Sequence, residues 1–252
     1  MEQPDLNRLL FIAAETAKDV FQQAEKDIKN IRRVKVDLPR DVKIEGDYKL
    51  EELIIKSLLA QSGYPVLSEE AGLVAGRETD SGYRWIIDPL DGSLNFSRGI
   101  PMCCISIGFW KELDPVLGVV YDFNRDESFC GIAGKGAWLN GEPIRVSEAD
   151  KKSKAVLCTG FPVGTNFSME SIMKFIDDIQ SYRKVRLFGS AALSLAYVAC
   201  GRADFYCEND IKIWDVAGGL ALVKAAGGMI SIIPSGGKNL FNVIASNQYI
   251  LG

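Results

Sequence analysis

Three short acidic segments hold the side chains best able to do chemistry. They are Ser68-Glu69-Glu70, Asp88-Pro89-Leu90-Asp91-Gly92-Ser93, and Asp215 within Trp214-Asp215-Val216-Ala217-Gly218-Gly219. Carboxylates gathered in one place repel one another and stay ionised only when cations join them. Oxygen donors without imidazole or thiolate select magnesium, manganese or calcium. The chain has no histidine. That excludes a His general base, a phosphohistidine intermediate, His-ligated zinc and a Ser-His-Asp triad. Hydrolytic chemistry must therefore use carboxylates, lysine, cysteine, hydroxyls or a carboxylate-bound metal.

Each segment alone also has a plainer reading. Asp-Pro-x-Asp-Gly suits a type I turn, Glu69-Glu70 a solvated strand end, and Asp215 a helix N-cap. Their combination points to a site. Pro89 sets one φ and Gly92 permits a tight turn, so Asp88 and Asp91 can face the same side. Six cysteines are present, at 103, 104, 130, 158, 200 and 207, with no CxxC pair and no arginine six positions after any of them. They read as free thiols in a reducing cytoplasm, most of them buried, and the cysteine-dependent phosphatase signature is absent.

The elements that must position these residues are visible as periodicities. Leu6, Leu9, Leu10, Ala13, Ala17, Val20, Phe21, Ala24 and Ile28 predict a helix over 6–28 with Asp5 as N-cap. A second helix is predicted over Leu50–Gln61, stopped by Ser62-Gly63 and Pro65. Between them, Lys26, Lys29, Arg32, Arg33, Lys35, Arg40 and Lys43 outnumber Asp27, Asp37 and Asp41. This basic stretch reads as a solvated loop or hairpin, or as a flap facing an anion. Strand-like runs at 65–68, 85–88, 103–110, 116–121, 128–133 and 137–139 follow, with Asn140-Gly141 as a hairpin turn. They predict a large, mostly antiparallel sheet.

Beyond the polar segment Ser147–Lys154 the texture becomes α/β. Short β runs at 155–159, 185–187, 204–207, 229–232 and 242–245 alternate with helical patterns at 169–179, 190–200 and 216–226. The expected division is an α+β part over 1–147, carrying most of the candidate metal ligands, and an α/β part over 154–252, carrying Asp215 and the substrate pocket. The balance of 47% hydrophobic and 25% charged residues is that of a soluble globular protein. No apolar run approaches the roughly 20 residues that cross a bilayer. The acidic Met1-Glu2-Gln3-Pro4-Asp5 start is unlike a signal peptide, so a cytoplasmic protein is expected. A net charge of −4 argues against general nucleic-acid binding.

Trp85-Ile86-Ile87-Asp88-Pro89-Leu90-Asp91-Gly92-Ser93-Leu94-Asn95-Phe96 closely resembles the WxxDPxDGTxNF signature of the inositol monophosphatase family. Trp214–Gly219 resembles its second signature, WDxAAG, and Glu69-Glu70 falls where its GEE-type motif lies. The resemblance covers nearly the whole chain. It implies a layered αβαβα sugar-phosphatase fold and a magnesium-dependent, lithium-sensitive phosphomonoesterase that works as a homodimer. Carried over, Glu69, Asp88, Asp91 and Asp215 are metal carboxylates, and the Leu90 carbonyl completes one site. Two or three Mg2+ ions are implied, with Mn2+ as a substitute. Ser93 stands where the family has Thr and, with Glu69 and Asp47, would orient the attacking water. The Gly92-Ser93 amides would receive phosphate at a helix start. Gly189, Ser190 and Ala191 match the family's GSxA segment at the substrate pocket. Glu208, six residues before Trp214, matches the carboxylate that contacts inositol hydroxyls.

Two departures stand out. Val42-Lys43-Ile44-Glu45-Gly46-Asp47 keeps the family's Asp but has Ile44 where Thr is expected, which leaves open how many ions bind. The chain ends at Leu251-Gly252, where relatives continue into a final helix, with an expected effect on the pocket rim or dimer contact. The leading expectation is hydrolysis of inositol 1-phosphate or a related polyol or sugar phosphate. A 3'(2'),5'-bisphosphate nucleotidase or a fructose 1,6-bisphosphatase is the alternative suggested by the basic stretch, and histidinol phosphate is a further substrate within the same fold. A binding or regulatory role with secondary catalysis is the alternative of another class.

Overall fold

The computed structural model describes residues 3–39, 41–78 and 81–250. Arg40, Met1-Glu2 and Leu251-Gly252 lie outside the described residues. Helix α1 spans Leu6–Ala24, and the Asp5 carboxylate accepts the Asn7 and Arg8 amides at 3.1 and 3.2 Å. It stops before the predicted end at 28. Glu25 and Asp27 are unfavourable at the negative end of a helix dipole, and the chain tightens there into a 3-10 turn over Glu25–Asp27. Helix α2 (Ile28–Ile31) follows. The basic stretch then forms an antiparallel hairpin of β1 (Val34–Leu38) and β2 (Asp41–Ile44).

Helix α3 spans Glu45–Ser62, five residues longer at its start than the apolar pattern predicts. The Asp47 carboxylate accepts the Ile44 amide at 2.7 Å and so caps a first turn that contains no apolar periodicity. This correction matters, because it moves Asp47 from a loop onto a rigid helix.

The first sheet has eight strands: β3 (Val66–Ser68), β4 (Gly72–Val74), β5 (Tyr83–Asp91), β6 (Cys104–Lys111), β7 (Asp114–Asp122), β8 (Glu127–Ile132), β9 (Gly136–Leu139) and β10 (Glu142–Ile144). Their spatial order is β10-β9-β8-β7-β6-β5-β3-β4. Every pair is antiparallel except β3 with β5, which run parallel. Asn140-Gly141 joins β9 to β10 as predicted, while β4 and β10 themselves are too short to stand out in the sequence. Helix α4 (Ser93–Arg98) follows β5 directly. The second sheet has β11 (Val156–Thr159), β12 (Lys184–Arg186), β13 (Phe205–Lys212), β14 (Met229–Pro234) and β15 (Leu240–Ser246), in the order β12-β11-β13-β15-β14.

These sheets and helices stack in layers. The apolar faces of α1 and α3 meet one face of the first sheet, with Ile12, Val20, Leu50, Ile54, Trp85, Ile105 and Phe109 in one core. Helices α6 (Ala191–Ala199) and α7 (Ile213–Ala225) fill the space between the two sheets. Both are apolar nearly all round, as a helix buried on two sides must be. Helix α5 (Met169–Ile179) lies outermost, with none of its residues fully buried. The result is the layered α+β fold expected from the sequence.

Helix α7 sits unusually close to the first sheet because both surfaces are bare. A Cβ at Gly118 of β7 would overlap the Gly218 carbonyl and lie 2.9 Å from Ala221 Cβ. One at Gly218 would lie 2.6 Å from Ser106 Oγ and 2.9 Å from the Val119 carbonyl. Gly118→Ala is therefore expected to destabilise the chain by about 1–3 kcal/mol, the usual cost of overpacking. Urea denaturation checks this: the midpoint falls while the slope is unchanged.

Candidate active site

Asp88 and Asp91 lie at the end of β5, three residues apart. In a regular strand that spacing puts side chains on opposite faces. Here Asp88 pairs with Ser106 and Asp91 with Cys104, so three steps along β5 face two along β6. The extra residue is a bulge, and it returns Asp91 to the side of Asp88. The sequence expectation of a turn at Asp88–Asp91 becomes a bulged strand with the same outcome. Both aspartates are buried, at 4% and 8% exposure. Asp88 Oδ1 accepts the Leu90 amide at 3.0 Å.

Gly92 ends the strand with φ 88°, and a Cβ there would meet the Met102 carbonyl at 2.7 Å. Only glycine fits, and the chain turns into α4. Ser93 Oγ lies 2.6 Å from Asp47 Oδ1 and 2.9 Å from the Leu90 carbonyl. Asp47 is pushed up to about 7, chiefly by burial, with the Ser93 and Ile44 hydrogen bonds opposing and the charges of Glu69 and Glu70 adding. Ser93 and Asp47, which the resemblance assigns to the attacking water, are thus hydrogen-bonded to each other. Ile44 is fully buried and packs into the core, so the missing hydroxyl at that position has become an apolar anchor.

Glu69 and Glu70 follow β3, whose pairing sets Ser68 beside Ile87, one residue before Asp88. Their turn is held by a residue that the sequence reading missed. Glu51 of α3 accepts the Glu70 and Ala71 amides, both at 3.1 Å, and the Ser68 hydroxyl. Asp47 and Glu51 are four apart and share a helix face, a signal readable only once α3 is known to begin at Glu45. Lys43 of β2 reaches the same turn, with Nζ 3.2 Å from Glu69 Oε1 and bonded to the Glu70 carboxylate.

From the second half, Asp215 sits in the first turn of α7, whose N-cap is Lys212. It is half-buried and not itself the cap. Burial and then the charges of Asp91, Glu69 and Glu208 push its carboxyl well up. Asp88 is raised by burial and by Asp91, Asp215 and Glu69. Asp91 rises to about 6 by burial, opposed by hydrogen bonds from Ser190 and the Ala192 and Ala191 amides. Ser190 Oγ donates to Asp91 Oδ2 at 2.6 Å and the Ala192 amide at 2.7 Å. Ser190 and Ala191, expected at the substrate, are therefore turned toward this carboxylate, and both are buried. Gly189, at φ 68°, is exposed. Asn95 of α4 secures this loop by donating to the Phe188 and Met102 carbonyls, each at 2.8 Å.

Glu208 of β13 stands across from Asp91. Burial and the Asp91 charge push it up to about 8. It lies against Gly160, where a Cβ would be 2.5 Å from Glu208 Oε1. Beside it is a cavity of about 660 Å³ under α5, lined by Phe161, Phe175, Tyr182 and Phe205.

The donor set suits a hard divalent cation. Burial and then the neighbouring carboxylates raise Asp88 and Asp215, as expected where buried negative charge is gathered without a cation beside it. Among the described residues, no three Asp, Glu or Cys side chains converge as closely as a finished metal cage does. Like charges turn their oxygens apart, and a cation reverses that preference. The described cysteines are all free, and Cys104, Sγ 3.9 Å from Asp91 Oδ2, is held protonated by burial.

The chain matches the model of the inositol monophosphatase family over residues 5–250. It is 36% identical over 248 residues to an inositol-1-monophosphatase of Mesorhizobium japonicum, covering 96% of this chain and 92% of that protein. It is 37% identical over 235 residues to the Nus factor SuhB of Xylella fastidiosa, covering 91% and 82%. Its fold matches the solved inositol monophosphatase of Anabaena with a TM-score of 0.81 at 32% identity, over 98% of this chain and 93% of that one.

The raised carboxylates make a pH prediction for the metal-free chain. Folding lifts Asp91 from 3.8 to about 6 and Asp47 to about 7, so the folded state holds protons that the unfolded state releases. Their contribution favours the folded state below about pH 4 and is lost as pH rises through 6 to 7. Chemical denaturation in EDTA is expected to show lower stability at pH 8 than at pH 5. Millimolar magnesium is expected to remove most of that difference.

Proposed function

Because the chain belongs to the inositol monophosphatase family, we propose that it hydrolyses inositol 1-phosphate, or a related polyol or sugar phosphate, using magnesium and water. The observation that carries this reading is that Asp91, Asp215 and Glu69 act on Asp88 through their charge, as Asp91 and Glu69 do on Asp215, with the Ser93–Asp47 hydrogen bond formed at the start of the helix that follows Asp91. When bound by these carboxylates and the Leu90 carbonyl, magnesium would neutralise phosphate charge and acidify water. Ser93, while donating to Asp47, offers its oxygen lone pair to a water and orients it. Asp47, raised by burial, can hold a proton in the neutral range. Glu208, across from Asp91, is set to accept hydroxyl hydrogen bonds from a polyol. Ser190 and Ala191 act on the substrate through the position of Asp91, to which Ser190 donates, and the exposed Gly189 before them is left free to meet it.

The basic hairpin gives limited support to a bisphosphate substrate. Lys35 pairs with Glu45 at 3.6 Å, and Lys43 pairs with Glu69 and Glu70. Acids already match these two cations and Arg32 lies over the Phe96 ring, which leaves Arg33 of these four to hold a second phosphate and favours a monophosphate. A binding role with secondary catalysis is favoured by one observation, the likeness to a relative named as a Nus factor. The full reading includes a cytoplasmic homodimer, which light scattering behind size exclusion checks. No described helix is long and apolar enough to cross a membrane.

Phosphate release with magnesium, with and without lithium, tests the substrate. The comparison sets inositol 1-phosphate against adenosine 3',5'-bisphosphate and fructose 1,6-bisphosphate. Preference for either bisphosphate would overturn the monophosphate reading. Asp91→Asn is expected to lower turnover by at least about 100-fold. Glu208→Ala is expected to raise KM for inositol phosphate more than for a small aryl phosphate. Equal effects would remove Glu208 from the polyol pocket. A partner retained from lysate by Asp88→Asn, together with a cellular phenotype that survives the loss of hydrolysis, would favour the binding role.

A further inference from the structure

We propose that Lys43 is a resident cation of the acidic cluster, its ammonium occupying Glu69 and Glu70 so that the chain binds one divalent ion fewer than its carboxylates could otherwise hold. This rests on the metal-dependent reading above and concerns how many ions that reading needs.

The geometry is specific. Lys43 Nζ lies 3.2 Å from Glu69 Oε1 and bonds the Glu70 carboxylate, and the three side chains are mostly shielded, at 21%, 34% and 15% exposure. Both ends of the contact are fixed. The next residue, Ile44, is wholly buried, and the register of β2 sets Lys43 opposite Val36. The Glu69-Glu70 turn is held by Glu51 through the Glu70 and Ala71 amides. An exposed ion pair gives up side-chain freedom for little gain, but this one is already ordered by its surroundings. Burial opposes the Lys43 charge, yet Glu70 and Glu69 outweigh it and hold the ammonium well above its usual range.

An ammonium and a hard divalent ion compete for the same carboxylate lone pairs. Asp47, Glu69, Glu70, Asp88, Asp91 and Asp215 bring six negative charges when all are ionised. With Lys43 present, two divalent ions leave them one charge short of neutrality. Without it, three are needed. Where Lys43 stands, an apolar or small residue would leave Glu69 and Glu70 to share a further cation.

Manganese titration of the metal-stripped full chain, followed by the loss of free-ion paramagnetic resonance signal, counts the ions directly and needs no turnover. The wild type is expected to bind two Mn2+ per chain. Lys43→Met and Lys43→Gln are expected to bind three, and Lys43→Arg two. Circular dichroism melts establish which variants are folded. An unchanged ion count in either folded neutral variant overturns the proposal. A wild type that binds no manganese would instead sink the metal-dependent reading itself, so the two failures are distinct.

Discussion

Buried negative charges that repel one another are the constraint on which the rest of this structure depends. Burial raises the cost of ionising Asp88 and Asp215, and the charges of Asp91 and Glu69 raise it further for both. No chain gathers such groups unless rigid elements hold them there against that cost. The holding is done by backbone amides and hydroxyls that favour the charged form. Leu90 donates to Asp88, Ser190 and Ala192 donate to Asp91, and Glu51 fixes the turn that carries Glu69. Lys43 enters the cluster from a separate hairpin. The site thus combines fixed dipoles with a small amount of fixed positive charge, and leaves the remaining imbalance for mobile cations.

Bringing those elements together is a problem of distance as much as of charge. Asp215 reaches the cluster because α7 lies against β6 and β7 without side chains between them. Gly118 and Gly218 meet almost backbone to backbone, and Gly108 does the same against Ala217, where a Cβ would sit 2.8 Å from its carbonyl carbon. The glycines after Asp215 in the signature are therefore part of how the carboxylate is delivered. The bulge in β5 solves the matching problem on the sheet, since an unbroken strand would send Asp88 and Asp91 to opposite faces.

What could be read in advance follows from how local each signal is. The two signatures, the mostly antiparallel first sheet, the Asn140-Gly141 hairpin and α5 at Met169–Ile179 are written in short windows, and the structure contains them. The layered fold and the family followed from those windows. The start of α3 was hidden because Asp47 supplies a hydrogen bond there in place of apolar spacing. Glu51 looked like any charged residue on a helix, since its partners lie 17 to 20 residues away. Lys43 belonged to a stretch that read as generally basic, and only the strand register assigns it to one pair of acids. Ser190 was expected at the substrate pocket, and its bond to Asp91 could not be read in advance because it spans 99 residues.

That same link has a consequence for how the molecule comes apart. Asp91 belongs to the first half of the chain, and the two donors that make its buried charge tolerable belong to the second. Asn95 repeats the arrangement in the other direction by reaching from α4 to the Phe188 carbonyl. Parting the halves would strand a carboxylate in an apolar crevice and unpair two more polar groups at once. Neither half has an inexpensive intermediate to rest in, so the seam behaves as a latch that is either shut or undone. The site then depends on the fold across this seam, and a chain that opens there loses the site with it.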